Sequence, residues 1–448
     1  MTTRTRNLTA VALASALVIA ACGSDDEAAT ESDDTSEDTT DAADDAGDDE
    51  AAGDDEAAGA AAAGDDEAAG DDAEAVESLL IWADERKVEP LESIAPAFTE
   101  ATGIELQIEL VPFEDIREQV TQAGPAGEGP DVFAGAHDWT GELAANGLID
   151  VIDLGGSEDQ FVPVSLQGCN FEGQNYAVPY GTEAIALYRN TDLAPDAPAT
   201  WDDLVASCDA AAAANCVVMP GGGDATDAYH NYPFVSAFGG FIFAYDDSTG
   251  FDASQVGLDS AETVQGITFL EEQVGAGVVA STNYDTAKNL FLAGDAAYWI
   301  TGPWELGGTR EQTDVAFDVS LIPQIGDAPA QPFTGAQGFF LSAFSENPLL
   351  AQSFLLDFIA TDDTMSALYD ADPRGTAWVN QQGLLADDPQ VAVFDASAAN
   401  GIPMPNIPQM GSVWGPLGDN LLLVRNEELS ADEAMTTAAE AVRSAVGG

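Results

Sequence analysis

The chain has 448 residues, of which 80 are acidic and 11 are basic, so its formal net charge at pH 7 is -69. Nucleic acid is excluded as a main partner, because a polyanion gains nothing by approaching another polyanion. Apolar residues make up 46% of the chain, which is enough for a packed core, and the length predicts two or three domains.

The first 21 residues predict a secretory signal peptide. Arg4 and Arg6 precede an apolar run from Leu8 to Ala21, which at 14 residues is shorter than the roughly 20 that a membrane-spanning helix needs. The small residues before Cys22 resemble the lipobox of bacterial lipoproteins, in which the cysteine is lipidated and becomes the new N-terminus. This resemblance implies a protein exported and anchored to the outer face of the cytoplasmic membrane through Cys22. An ordinary signal peptide with an incidental cysteine is the alternative.

Residues 22–76 predict a disordered tether. Beyond Cys22 they hold 23 acidic residues and no lysine or arginine, and the unit Gly-Asp-Asp-Glu-Ala-Ala-Gly recurs at 47–53 and 64–70. Such a segment cannot bury enough apolar surface to offset the entropy of ordering it, and its like charges extend it. We interpret it as a spacer that holds a folded domain away from an anionic surface; chelation of divalent cations is the alternative.

The remaining sequence predicts strands that alternate with helices. A strand is predicted at 78–82, a helix at 88–101, a strand at 104–111, a helix at 113–123 and a strand at 131–133. This alternation is typical of an α/β fold, with a mostly parallel sheet covered by helices on both faces.

Polar and aromatic clusters follow several of the predicted strands. Ala83–Lys87 comes after the first strand, Ala136–Trp139 after the strand at 131–133, and Gly302–Trp304 after a strand at 296–300. Because ligands of such sheets bind beyond the carboxyl ends of the strands, these clusters mark the candidate ligand site.

Three cysteines remain once Cys22 is lipidated, in an exported and potentially oxidising setting. Cys208 and Cys216 flank an alanine-rich helical stretch, and a disulfide between them closes a short local loop. We predict this pair, which leaves Cys169 over, although the sequence alone also allows a pairing that uses Cys169.

Motifs of common enzyme classes are absent from the sequence. It has no glycine-rich phosphate loop, no nucleophile elbow and no His-Glu-x-x-His, and its two histidines stand in no local group with cysteines that could hold structural zinc. We therefore expect no enzymatic activity, no bound metal and no cofactor. A two-carboxylate glycosidase built on Asp138, Glu183 and Asp227 is the enzymatic alternative.

A family resemblance covers nearly all of residues 78–448 in collinear order. The chain resembles the maltose and maltodextrin group of ABC-importer substrate-binding lipoproteins, within extracellular solute-binding protein family 1. The motifs that carry the resemblance are, in chain order, Trp82-Ala83-Asp84, Gly129-Pro130-Asp131, Ala136-His137-Asp138, Val178-Pro179-Tyr180 followed by Glu183, Tyr188 with Asn190, Gly302-Pro303-Trp304 and Pro405-Asn406-Ile407-Pro408-Gln409-Met410.

The resemblance implies a type II fold of the periplasmic-binding-protein kind, in which two α/β lobes are joined by a hinge and enclose an interlobe ligand cleft. The first lobe takes residues 78–181 and 335–387 in this prediction. The second lobe takes residues 182–334 and 388–448. The hinge is then expected near residues 181–184, 333–335 and 387–389.

The resemblance also implies aromatic contacts with a sugar, whose C–H faces stack on flat rings. Trp304, Trp414 and Tyr229 match stacking positions of the family. Packing in the core is the alternative role for each of these three side chains.

Charged groups that bond sugar hydroxyls are implied in the same way. Lys87, Asp138 and Glu183 match such positions, and Lys87 is one of only two lysines in the chain. The alternative roles are surface charge for Lys87, helix capping for Asp138 and a buried ion pair for Glu183. Four further candidates are Asp84, Glu85, Arg86 and Asp227.

The sequence departs from the best-known family member at positions that bind the sugar. An aromatic stacking residue aligns with Gly135, a sugar-bonding arginine aligns with Trp139, and a tyrosine and an arginine near the C-terminus are replaced by Gly415 and Gly418. We expect the cleft to have exchanged aromatic and cationic contacts between positions, and Trp139 to stack on the sugar.

These features predict a monomeric, non-enzymatic receptor that captures maltose or a maltooligosaccharide by hinge closure and delivers it to ABC permease subunits. The first alternative is another oligosaccharide or a polyol, including trehalose, sucrose or a cyclodextrin. A secreted glycosidase is the second alternative, and a structural surface lipoprotein without a ligand is the third.

Overall fold

The computed structural model describes residues 78–246, 249–326 and 329–447. The predicted signal peptide, the lipidation site Cys22 and the acidic tether lie outside these residues. Within the described ranges, no helix is long and apolar enough to cross a membrane.

The strands fall into two main sheets and two small two-stranded ribbons. In chain order they are β1 (Ser78–Ala83), β2 (Glu105–Leu110), β3 (Val132–Ala136), β4 (Asn170–Phe171), β5 (Gln174–Asn175), β6 (Ala177–Glu183), β7 (Ala186–Asn190), β8 (Asn215–Val218), β9 (Phe243–Asp246), β10 (Gly250–Val256), β11 (Ala296–Thr301), β12 (Phe317–Ser320), β13 (Phe333–Leu341), β14 (Gly375–Thr376) and β15 (Ile402–Pro403).

The larger sheet has the strand order β14-β6-β13-β3-β1-β2, and β15 pairs with β13. Strands β2, β1 and β3 run parallel, whereas β13 is antiparallel to both of its main neighbours, β3 and β6. The prediction of a mostly parallel sheet is therefore wrong beyond the first three strands. The reason is the path of the chain: β6 carries it out of this sheet at Glu183, and β13 brings it back at the same end, where Gly335 pairs with Glu183.

The smaller sheet has the strand order β12-β7-β11-β8. Strand β7 is antiparallel to both β11 and β12, and β11 is parallel to β8. Since β6 ends at Glu183 and β7 begins at Ala186, the chain passes from one sheet to the other between these two residues.

Helices cover both sheets. Their bounds are α1 (Glu85–Thr102), α2 (Phe113–Ala126), α3 (Thr140–Ala145), α4 (Pro163–Gly168), α5 (Trp201–Ala211), α6 (Tyr232–Ser236), α7 (Ala261–Gly275), α8 (Tyr284–Leu292), α9 (Leu306–Gln312), α10 (Pro348–Phe354), α11 (Asp362–Ala371), α12 (Pro389–Asn400), α13 (Trp414–Arg425) and α14 (Ala431–Val446).

Helix α1 illustrates why the sequence folds locally as it does. Asp84 stands just before it and accepts a hydrogen bond from the backbone N–H of Arg86 at 3.1 Å, which caps the helix at its N-terminus. Leu91 and Phe98 are fully buried on the face toward the larger sheet. Gly103 ends the helix in the left-handed conformation, with φ of 76°. The cap extends the helix toward the N-terminus beyond the predicted start at residue 88.

The hydrophobic interior is divided between the sheets. Leu79 and Phe339 belong to a cluster on the larger sheet, while Val217 and Ile300 belong to a cluster on the smaller one. This division produces two separately packed α/β lobes, as the type II fold requires.

The structure joins Cys208, on α5, to Cys216, on β8, in a disulfide with a Cα–Cα distance of 5.4 Å. Cys169 is buried and carries a free thiol.

Candidate ligand-binding site

A cavity of about 750 Å³ lies between the ends of the two sheets. Its walls come from segments that follow β1, β3, β8 and β11, together with the start of α13. This position agrees with the rule that ligands bind beyond the carboxyl ends of strands. The cavity is lined by all eleven residues for which sugar binding is predicted, namely Asp84, Glu85, Arg86, Lys87, Asp138, Trp139, Glu183, Asp227, Tyr229, Trp304 and Trp414.

A different cavity, of about 1040 Å³, is lined by Phe171, Phe251 and Arg443 among others and contains none of the predicted residues. We regard the smaller cavity as the candidate site, because it gathers aromatic rings and charged groups from both sheets.

Lys87 lies in a network of buried ion pairs in one wall of this cavity. Its Nζ is 3.0 Å from Asp84 Oδ2 and 2.8 Å from Asp372 Oδ2. Burial alone would lower the pKa of Lys87, but the charges of Asp372 and Asp84 outweigh burial and raise this pKa above its ordinary value. The lysine side chain is only 3% exposed, which rules out a role as mere surface charge.

Arg374 connects this network to Glu183. Its guanidinium group pairs with the carboxylates of Glu183 and Asp372, and Gln337 Nε2 donates to Glu183 Oε1 at 2.9 Å. Gly181 makes this approach possible, since a Cβ there would lie 2.5 Å from Arg374 Cδ. Glu183 therefore has the buried ion pair that was its alternative role, while it also lines the cavity.

Arg86 bridges the cavity from the larger sheet to the smaller one. Its Nε donates to the backbone oxygen of Trp304 at 3.2 Å, and its Nη1 lies 3.4 Å from Glu85 Oε1. Because the Glu85 side chain is 61% exposed, this carboxylate lies at the rim.

Trp304 is fixed in place by polar contacts behind its ring. Its indole N–H donates to the hydroxyl of Tyr284 at 2.7 Å, and that hydroxyl donates to Glu305 Oε1 at 2.5 Å. Lys288 Nζ lies 2.9 Å from Glu305 Oε2. The ring lies so close to the backbone that a Cβ on Gly302 would be 2.1 Å from it. Trp304 is thus held in a fixed orientation in the cavity wall and is not a core residue.

Asp227, Tyr229 and His230 come from the loop between β8 and α6. Asp227 Oδ2 lies 2.7 Å from His230 Nδ1, and Asp227 Oδ1 accepts the backbone N–H of His230 at 2.8 Å. The rings of Tyr229 and Trp304 are 6.0 Å apart between centroids. The hydroxyl of Tyr229 is buried, with no hydrogen-bond partner among the described residues.

Asp138 and Trp414 approach each other from opposite walls of the cavity. Trp414 is the first residue of α13, and its indole N–H donates to Asp138 Oδ2 at 3.2 Å. Burial raises the pKa of the Asp138 carboxyl, and the opposing effects of His137 and Arg117 are smaller. Asp138 lies within a 3₁₀ turn, where it makes no side-chain capping bond, so helix capping is not its role.

Trp139 fills the space that Gly135 leaves open. An ideal Cβ on Gly135 would lie 2.6 Å from the ring of Trp139. The same ring packs at 5.2 Å from that of Phe113. The two departures noted in the sequence therefore belong together, because the small residue makes room for the large one.

Several lining residues escaped the sequence analysis, namely His230, Tyr284, Lys288, Glu305, Gln337 and Arg374. A usable signal existed for Lys288, the second of only two lysines, and for His230, which directly follows Tyr229. The others stand in no recognisable motif, since their roles arise from contacts between distant parts of the chain.

Aromatic surfaces and paired charges, brought together between two separately packed lobes, define a two-lobed binding protein for a polar solute. The chain belongs to the bacterial extracellular solute-binding proteins, and the sequence profile of this family matches residues 93–391. Members of this family are exported solute-binding proteins.

Similar proteins include a maltotriose-binding protein of Pyrococcus abyssi, 29% identical over 67% of this chain and 67% of its own length. A maltooligosaccharide ABC transporter solute-binding lipoprotein of Streptococcus pneumoniae is 25% identical over 83% of this chain and 90% of its own. Among solved structures, a cyclo/maltodextrin-binding protein complexed with maltotetraose is 27% identical, with a TM-score of 0.70, and the match covers 83% of this chain and 97% of that one.

Proposed function

We propose that this chain is the substrate-binding lipoprotein of an ABC sugar importer, and that it captures maltose or a maltooligosaccharide. The observation that carries the proposal is the cavity, in which the rings of Trp304, Trp414 and Tyr229 face a wall that bears Lys87 and Asp138. Rings suit the C–H faces of a sugar, and charged groups suit its hydroxyls. The relatives named for maltotriose and maltooligosaccharide binding support an α-glucan over other sugars.

Capture proceeds by hinge closure in this proposal. A solute that touches both lobes stabilises the closed state only as far as its affinity for that state exceeds its affinity for the open one. Two bonds between the walls, from Arg86 to Trp304 and from Trp414 to Asp138, hold the cleft narrow. The permease subunits recognise the closed form.

The proposed lobes comprise residues 78–181 with 335–387, and residues 182–334 with 388–448. The protein acts as a monomer, and a lipid on Cys22 anchors it at the outer face of the cytoplasmic membrane. Residues 22–76 serve as its tether. The pneumococcal relative, which is named a lipoprotein, supports the anchor.

The proposal is tested by titrating the chain from Ser78 onward with maltose, maltotriose, a cyclodextrin, trehalose, sucrose and cellobiose. Tryptophan fluorescence and calorimetry follow the binding, and we expect saturation by the α-glucans. Trp304→Ala is expected to abolish the response. Trp201→Phe is the matched control, because Trp201 is a buried residue away from the cavity. Silence across the panel in the unchanged protein would refute an α-glucan solute.

The same incubations test the proposal that the protein is not an enzyme. Glu183 and Asp227 each already accept hydrogen bonds from a neighbouring side chain, which suits fixed binding groups better than a glycosidase pair. We expect no reducing ends to accumulate after prolonged incubation with maltotriose. Release that grows with time and disappears in Asp138→Asn would establish the glycosidase alternative instead.

A further inference from the structure

His230 has one ring nitrogen bonded to protein and one that is not. Its Nδ1 lies 2.7 Å from Asp227 Oδ2, whereas its Nε2 is buried and has no hydrogen-bond partner among the described residues. The whole residue is 5% exposed and lines the candidate cavity. Because an unsatisfied buried polar atom costs free energy, Nε2 needs a hydrogen-bond partner from a group in the cavity.

The surrounding side chains do not supply that group. The ring of His230 lies 5.8 Å from that of Trp304 and 6.0 Å from that of Tyr284, measured between centroids. The indole N–H of Trp304 is already donated to Tyr284, and the Tyr284 hydroxyl is donated to Glu305. Both of these donors are therefore committed elsewhere, and the hydroxyl of Tyr229, whose ring lies 5.6 Å from that of His230, makes no hydrogen bond to Nε2.

The chemistry of Asp227 determines which kind of group fits. Its carboxylate faces two nitrogens of His230: Oδ1 accepts the backbone N–H at 2.8 Å, and Oδ2 lies 2.7 Å from Nδ1. An ionised carboxylate can only accept hydrogen bonds, so Nδ1 of the histidine carries the proton. In a neutral imidazole Nε2 then has a free lone pair and accepts.

We propose that Nε2 of His230 accepts a hydrogen bond from one hydroxyl of the bound solute, and that Asp227 is a positioning residue that fixes the histidine tautomer. This inference rests on the proposed function for the identity of the solute, a sugar. It assigns Asp227 an indirect role, through His230, in place of the direct contact with sugar that family resemblance implies. It also predicts that the site discriminates against a solute in which the matching hydroxyl is replaced by hydrogen or methylated.

The tautomers can be read directly, because the chain has only two histidines. His137 serves as the internal reference: its Nδ1 accepts the backbone N–H of Ala336 at 2.9 Å, and its Nε2 faces the oxygen of Met404 at 3.1 Å. His137 must therefore carry its proton on Nε2. At a pH where both rings are neutral, full-length protein labelled with ¹⁵N-histidine should show two opposite tautomers, and His230→Gln identifies the signal that belongs to His230.

Saturation with maltotriose is expected to shift the Nε2 resonance of His230 in the direction of an accepted hydrogen bond. A His230 that carries its proton on Nε2, or whose Nε2 resonance stays unchanged when maltotriose saturates the protein, would overturn the inference. If maltotriose does not bind at all, the proposed function fails, and the tautomer in the ligand-free spectrum alone decides the role of Asp227.

Three variants separate the role of His230 from that of Asp227. His230→Phe keeps a ring but removes the acceptor, and we expect the Kd for maltotriose to rise about fivefold, the usual scale for one lost hydrogen bond. His230→Gln keeps an acceptor oxygen and should lose less. Asp227→Asn keeps the shape, but its amide donates to Nδ1 and moves the proton to Nε2, so the Kd should rise about as much as in His230→Phe.

The spectrum of Asp227→Asn distinguishes positioning from mere structural support. We expect His230 to appear as the opposite tautomer in this variant while His137 is unchanged. Weaker binding without that change of tautomer would show that Asp227 contacts the sugar itself. Unchanged maltotriose affinity in His230→Phe would overturn the inference while leaving the proposed function intact.

Discussion

Trp414 donates its indole N–H to Asp138 Oδ2 at 3.2 Å, and the two residues belong to segments packed on different sheets. Trp414 begins α13 and packs against the core of the smaller sheet, whereas Asp138 lies in the 3₁₀ turn that follows β3 of the larger one. The ring that faces the cavity therefore also ties the two walls together through its nitrogen.

The two roles of Trp414 can be separated by substitution. Trp414→Phe keeps the ring and loses the bond to Asp138, so we expect maltotriose affinity to fall about fivefold, the scale of one hydrogen bond near 1 kcal/mol. Trp414→Ala also loses the stacking surface and should cost at least about 2 kcal/mol, or roughly thirtyfold. Calorimetry measures both.

Trp82→Phe is the matched control for these variants. This substitution also removes an indole hydrogen bond, from Trp82 to Glu109 Oε2 at 3.0 Å, but Trp82 does not line the cavity. The affinity of the Trp82→Phe variant for maltotriose should match that of the unchanged protein. Equal losses in Trp414→Phe and Trp414→Ala would show that stacking contributes nothing.

Gly135 and Trp139 are expected to be energetically coupled. A Cβ on Gly135 would lie 2.6 Å from the Trp139 ring, so Gly135→Ala should displace that ring and lower the free energy of unfolding by about 1–3 kcal/mol. In a Trp139→Ala background the nearest obstacle is gone and only Phe340 remains close, at 3.2 Å, so the same substitution should cost less. Denaturant unfolding of the four proteins in this cycle measures the coupling.

Gly383→Ala controls for the general effect of replacing glycine, because a Cβ at Gly383 meets nothing within 4 Å. Its stability should remain close to that of the unchanged protein. Additive effects of Gly135→Ala and Trp139→Ala would contradict the proposed exchange of space between these two positions.

Local features of the fold could be predicted from the sequence, since they depend on neighbouring residues. The apolar spacing of Leu91 and Phe98 predicts α1. By contrast, the pairing of Glu183 with Arg374 joins residues 191 positions apart, and no local pattern indicates it. The reversed direction of β13 likewise depends on where the chain re-enters the sheet.

The candidate site divides in the same way. Family motifs predict which residues line the cavity, but not which atoms are already bonded within the protein. Lys87 is a case in point, because its burial between Asp84 and Asp372 depends on a carboxylate 285 positions away. The sequence predicts that such a charge is present, and only the fold determines its surroundings.

Cys169 is expected to be unreactive in the folded protein. It is fully buried, and burial raises the pKa of its thiol to about 12, so almost no reactive thiolate forms at pH 8. The chain from Ser78 onward should therefore give no product with Ellman's reagent until it is unfolded, and then one thiol per chain, because Cys208 and Cys216 remain joined. Rapid labelling of the native protein would contradict this packing.

Arg425 is expected to stabilise the loop that bears Tyr229 and His230. Although it is charged, this last residue of α13 is fully buried. Its guanidinium donates to the backbone oxygens of Pro220 at 3.1 Å and Ala280 at 2.6 Å, and to Asn231 Oδ1 at 3.0 Å. Asn231 in turn donates to the backbone oxygen of Asp227 at 2.6 Å, so the contacts continue into the site.

Arg425→Met retains much of the side-chain length but removes the donor to Ala280 O and Asn231 Oδ1, and it leaves Pro220 O with only the long bond from Asn231 Nδ2 at 3.3 Å. Each such acceptor costs about 1–3 kcal/mol, and we expect a total loss of at least about 3 kcal/mol in the free energy of unfolding. Maltotriose affinity should fall as well, because the loop also positions Tyr229. Arg443→Met is the matched control, because Arg443 pairs with Asp259 at a more exposed position on α14. This substitution should lower the free energy of unfolding by less than about 1 kcal/mol. Equal losses in the two variants, measured by denaturant unfolding, would show that the buried contacts of Arg425 have no special role.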